Sequence, residues 1–129
     1  MDIETREDID RLIRLFYTRV REDFFLKTPF NIAIPNDELW EHHFVKLIDF
    51  WESGLLQGKA IYEGKPIGLH LWVDNISGRI IEKVHFDRWL GLWDKTVDEL
   101  FEGPVAEKAK SKAYKLGKVF FDKIMEARP

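Results

Sequence analysis

Four stretches of this chain place apolar residues at helical spacing, and no stretch of convincing length alternates as a strand does. That pattern predicts an all-α fold. In "TREDIDRLIRLFYTRVREDFF", residues Ile9, Leu12, Ile13, Phe16, Val20 and Phe24 share one helical face, and Thr5 with Asp8 resembles a capping box. The first helix is therefore expected over roughly residues 5 to 25. "KTPFNIAIPND" carries Pro29 and Pro35, so the chain is expected to turn there and to cap a second helix at Asn36 or Asp37. On that helix Trp40, His43, Phe44, Leu47, Phe50 and Trp51 form an apolar stripe, with Glu41, His42, Lys46, Asp49 and Glu52 on the polar side. Gly54 and Gly58 end the regular run, and "AIYEGKPIGLHLWVDNISGR" reads as a loop with one helical turn before His70. Spacing resumes through Phe86, Trp89, Leu90, Trp93, Val97 and Phe101. A last helix is expected after Gly103 and Pro104, with Val105, Ala109, Ala113, Leu116, Phe120 and Ile124 on one face.

The length, 129 residues, suits a single domain spanning 1–129. Twenty Lys and Arg interleave with 23 Asp and Glu, so no basic stripe advertises nucleic acid or anionic lipid. Cysteine is absent, which excludes disulfides, thiolate metal sites and cysteine nucleophiles. "MDIETREDID" is acidic where a signal peptide would be basic and then apolar, and no apolar run reaches membrane-spanning length. A soluble, cytoplasmic protein is expected, with neither membrane nor nucleic acid as partner. Phosphate-binding glycine loops, His-Glu-x-x-His, EF-hand loops and nucleophile elbows do not occur.

Two features remain. Aromatic residues make up 14% of the chain, enough to build either a rigid core or the wall of a pocket for a flat ligand. The histidines stand at 42, 43, 70 and 85. Neighbours on a helix point about 100° apart, so His42 and His43 divide, the first outward and the second inward. Four histidines without local pairing do not make a zinc site. Haem iron needs only one protein imidazole, so a histidine on a loop and an inward histidine on an aromatic helix fit a haem between helices. An inward histidine on an aromatic helix is more often a hydrogen-bonded core residue.

In order along the chain, "LFYTRVREDFFL", "LWEHHFVKLIDFW", "GKAIYEGKPIGLH" and "HFDRWLGLW" closely resemble the group III truncated haemoglobins, short two-over-two helical globins of bacteria. The likeness runs over roughly residues 9 to 101, and the chain lacks the paired glycines of the other truncated globin groups. The resemblance implies a truncated-globin sandwich around haem b, iron protoporphyrin IX. It implies His70 as the proximal iron ligand, and Tyr17, His43 and Trp89 as the distal residues. Phe16, Phe44, Leu47, Trp51 and Phe86 match positions lining the haem. One departure is the fourteen-residue "LWVDNISGRIIEKV" between His70 and His85, longer than is usual in the family, which leaves His85 as a reserve ligand. The implied function is tight dioxygen binding at ferrous iron, serving nitric oxide or peroxide chemistry with an external reductase more than transport. His43 is open to three roles: donor to the ligand, gate, or iron ligand when nothing else is bound. A monomer or weak dimer is expected. The competing reading is a haem-free helical sensor that binds a partner in its aromatic cavity.

Overall fold

The computed structural model describes residues 1–56 and 66–129; Gly58, Tyr62 and Gly64 lie outside the described residues. Among the described residues six helices follow one another: α1 (Arg6–Glu22), α2 (Lys27–Ala33), α3 (Asp37–Leu55), α4 (Pro66–Ile76), α5 (Lys83–Leu100) and α6 (Pro104–Ala127). No strand occurs among the described residues.

The first helix starts as its sequence directs. Thr5 Oγ1 accepts from the Asp8 N–H at 3.2 Å, and Asp8 Oδ2 accepts from the Thr5 N–H at 3.1 Å. Its end falls earlier than expected. Asp23 adopts an extended backbone, φ −70° and ψ 132°, and its carboxylate accepts from the Phe25 and Leu26 N–H groups. Phe24 thereby leaves the helical face assigned to it and stands 79% exposed. α2 falls where a plain turn was expected. Pro29 is the third residue of α2, inside the first turn, where a missing N–H breaks no helical bond. Asn36 caps α3 by accepting from the Leu39 N–H at 2.9 Å.

α4 is the larger departure from expectation. The segment around His70 is a helix through Ile76, so most of the supposed loop over 71–84 is regular structure, leaving only Ser77–Glu82 between α4 and α5. The helix ends on Gly78, whose φ of +81° suits glycine, while Ser77 Oγ donates to the Val73 carbonyl at 2.7 Å.

α1 packs on α3, α5 packs on α6, and α1 against α5 joins the two pairs. α4 lies against α6, and α2 bridges α1 and α4. Ile9, Leu12, Ile13, Phe16 and Val20 of α1 are fully buried with Trp93 and Val97 of α5 and Ala109 and Ala113 of α6. The small side chains of α6 allow its backbone to come close, and Trp93 donates its indole N–H to the Ala109 carbonyl at 3.2 Å. Glu52, expected on the polar face of α3, is instead buried and pairs with Arg6. Gly103 brings no capping side chain to α6. Asp2 supplies it from the other end of the chain: its carboxylate accepts from the Val105 and Ala106 N–H groups at 2.9 and 2.8 Å. At Gly103, with φ +146°, any Cβ would lie 2.5 Å from that carboxylate.

Candidate functional site

α1, α3 and α5 bring Tyr17, His43 and Trp89 together. Tyr17 is buried, its ring edge-on to His43 with centroids 6.2 Å apart. Burial pushes the Tyr17 phenol well above its ordinary pKa, partly opposed by a side-chain hydrogen bond with Trp89. An indole has only a donor, so it is the Trp89 N–H that lies toward the Tyr17 oxygen. The Tyr17 proton is thereby left to point elsewhere. Phe16 packs edge-on against both Trp89 and Trp93, at 5.4 and 4.9 Å. Phe44 and Trp40 close the other side of Tyr17, at 6.4 and 5.8 Å.

The paired histidines divide as helical phase requires. His42 is exposed, whereas His43 is part-buried and faces Tyr17 and Trp40. Burial, the nearby His70 and Lys46 pull the His43 pKa down to about 4, so its ring is neutral near pH 7. His70, on α4, comes close enough for the charge of one imidazole to disfavour charge on the other. Burial lowers the pKa of His70 too. Its Nδ1–H donates to the Pro66 carbonyl, 2.6 Å away and one turn earlier, and Nε2 has no hydrogen-bond partner among the described residues. The His70 ring lies flat on Phe120 of α6, with centroids 4.1 Å apart and planes 18° from parallel.

The remaining positions implied by the family likeness divide between two places. Leu47 packs on the core and Trp51 stacks on Trp93 at 4.6 Å. Phe86 meets Phe121, at 5.6 Å, on the α6 side of the molecule. His85 is not turned to this cluster: its Nδ1 accepts from the Glu82 N–H at 2.9 Å, and it serves as a cap for α5. Three participants escaped sequence reasoning. Pro66 orients His70, and Phe120 reads as ordinary core on its helical face. Trp40, 1% exposed, has an indole N–H without a hydrogen-bond partner among the described residues, beside Tyr17 and His43; its place on the inward stripe was the available signal.

An all-helical sandwich that brings two neutral imidazoles from different helices to an aromatic cluster with a buried tyrosine defines a globin. No family model matches the chain. It is 34% identical over 104 residues to the group 3 truncated hemoglobin ctb of Campylobacter jejuni, an alignment covering 78% of this chain and 77% of that one. It superposes on the crystal structure of a group III truncated hemoglobin from Campylobacter jejuni with a TM-score of 0.81 and 29% identity, covering 96% of this chain and 95% of the other. The chain belongs to the group III truncated haemoglobins.

Membership of a haemoglobin family implies haem, and the residues fit it. His70 is a neutral imidazole with one nitrogen tied to a carbonyl and the other unpartnered among the described residues, the kind of donor that haem iron takes. Among the described residues no group of three or more His, Cys, Asp or Glu could hold a bare metal ion. No described helix is long and apolar enough to cross a membrane.

Proposed function

We propose that His70 holds the iron of haem b and that Tyr17, His43 and Trp89 handle dioxygen on the other side, for chemistry on the bound gas more than for transport. The observation that carries this reading is the hydrogen bond from His70 Nδ1–H to the Pro66 carbonyl, on an imidazole that lies near His43 and its aromatic neighbours. Bound there, the group supplies dioxygen binding and one-electron redox chemistry at iron.

The chain's own residues do the rest. The Pro66 carbonyl fixes the His70 tautomer and raises the basicity of Nε2. Trp89 satisfies the Tyr17 oxygen, so the Tyr17 hydroxyl proton is free to donate to an oxygen atom gaining negative charge. With its pKa raised by burial, Tyr17 keeps that proton through neutral pH. His43, neutral at pH 7, offers one N–H to the ligand, swings as a gate, or lends its lone pair to iron when no gas is bound. Phe16, Phe44, Leu47 and Trp51 form the apolar surroundings that keep water from competing for these donors, and Phe86, packed on Phe121, adds apolar surface on the α6 side.

Donors aimed at bound dioxygen slow its release, which suits a reaction on the gas. Converting nitric oxide to nitrate is one such reaction: one nitric oxide, one dioxygen and one electron give one nitrate. A peroxide-linked oxidation is the other. Both draw electrons from outside, so a partner reductase belongs to the reading. Reconstitution with haem tests it. A Soret band near about 410 nm should form and be lost in His70→Ala. Nitrate should then accumulate one-for-one with nitric oxide under dioxygen and a reductant. A wild-type protein that forms no Soret band would sink the reading and favour the haem-free alternative.

A further inference from the structure

His70 and Phe120 form the tightest ring pair among the described residues, and they come from different helices, α4 and α6. The hydrogen bond to Pro66 anchors one nitrogen of the imidazole to its own helix but leaves the ring able to rock about that bond. A flat partner at 4.1 Å removes that freedom. One turn further along α4, on the same face, Asp74 is buried and gripped by Arg128 just beyond α6. The grip is a fork: Arg128 Nη2 to Asp74 Oδ1 at 2.7 Å and Nε to Oδ2 at 3.0 Å. The same Nη2 also donates to the Ile81 carbonyl at 2.5 Å, which ties down the segment leaving α4. α6 therefore holds α4 at two points on one face, the imidazole and the carboxylate.

We propose that α6 is the positioning element for the imidazole that takes iron. Phe120 sets the plane of His70, and the Arg128–Asp74 fork keeps α4 in the register that holds the two rings together. The inference rests on His70 being the iron ligand, as argued above. Rotation of an imidazole about its bond to iron determines how its ring C–H groups meet the porphyrin nitrogens, and hence how closely iron and ring approach. A residue that fixes the ring plane thus tunes the bond without touching the metal.

The test uses haem-loaded protein. Resonance Raman of the unliganded ferrous form reads the iron–histidine stretch, and transfer of ferric haem to an apo-globin acceptor reads its loss. Phe120→Leu should shift the stretch and speed haem loss about tenfold, the lower range for removing a partner of a metal ligand. Phe120→Tyr, which keeps the flat face, should restore both. Arg128→Gln should move both readouts in the same direction by less, and it stands in if Phe120→Leu does not fold. Lowered melting temperatures with an unmoved stretch and unchanged haem loss in both variants would make Phe120 and Arg128 mere packing, and the proposal would be wrong. His70→Gly separates the two levels. If the stretch persists in that variant, His70 is not the ligand and both readings fall. If it vanishes there but ignores Phe120 and Arg128, only the positioning role is refuted.

Discussion

The Tyr17–Trp89 pair makes a quantitative prediction about dioxygen release. With the Trp89 N–H turned toward the Tyr17 oxygen, a bond between them would leave only the Tyr17 hydroxyl directed onward. A hydrogen bond to a charged acceptor contributes about 2 kcal/mol. Tyr17→Phe should therefore speed dioxygen dissociation from the ferrous haem-loaded protein roughly thirtyfold. Trp89 acts by polarising that hydroxyl, a cooperative strengthening of about 10–30% of the bond, or ~0.2–0.6 kcal/mol. Trp89→Phe should then speed release by only about 1.4- to 3-fold. In the Tyr17→Phe background there is no hydroxyl left to polarise, and the Trp89 substitution should change little. Stopped-flow replacement of dioxygen by carbon monoxide measures all four proteins of the cycle. Two independent donors would instead multiply to about a thousandfold in the double variant. A Trp89→Phe effect of tenfold or more in both backgrounds would refute the relay.

Other expectations follow from the framework. Asp23, buried where α1 ends, is pushed up by burial, but Arg88 and the N–H groups of Phe25 and Leu26 together bring its pKa below the usual value. Its contribution is therefore complete above about pH 4 and lost as pH falls through the depressed folded value, so Asp23→Asn should lower stability by about 2 kcal/mol at pH 7 and flatten the acid side of a urea-midpoint profile. Parallel acid profiles for the two proteins would contradict this. Asp2→Ala should remove about 1 kcal/mol by uncapping α6 from a distance, with amide exchange at Val105 and Ala106 rising first. His85→Leu should lower stability by about 0.5–1 kcal/mol through loss of its bond to the Glu82 N–H, while the haem spectrum stays unchanged. A changed spectrum would return His85 to the list of iron ligands.

What could be read in advance follows from how local each cause is. α1, α3, α5 and α6 bury one face against the core, so spacing alone marks them, and the Thr5 and Asn36 caps lie within three residues of their partners. α4 escaped because "PIGLHLWVDNI" is apolar on most sides: Leu69 and Trp72 are about half exposed, while Asp74 is buried. Polar and apolar positions there do not divide as core and solvent do. α2 escaped because prolines were read as breakers, although Pro29 stands where a helix tolerates one. The pocket residues lie on separate helices, so no spacing rule links Tyr17, His43, His70 and Trp89, and only likeness to a family grouped them. The Phe120 stack and the Asp2 cap depend on partners 50 and 103 or 104 residues away and leave no local trace.

The way α6 is held at both ends bears on the order in which the protein is made. Asp2 binds its start and Asp74 binds the Arg128 that follows it, so α6 joins segments synthesised long before it. During synthesis α1 through α5 leave the ribosome first. Until α6 follows, the Trp93 N–H has no Ala109 carbonyl, His70 has no Phe120, and Asp74 has no counter-charge. A nascent chain in which α6 has not yet emerged would thus leave the His70 side of the globin unfinished, and on the proposed reading tight haem capture would await α6.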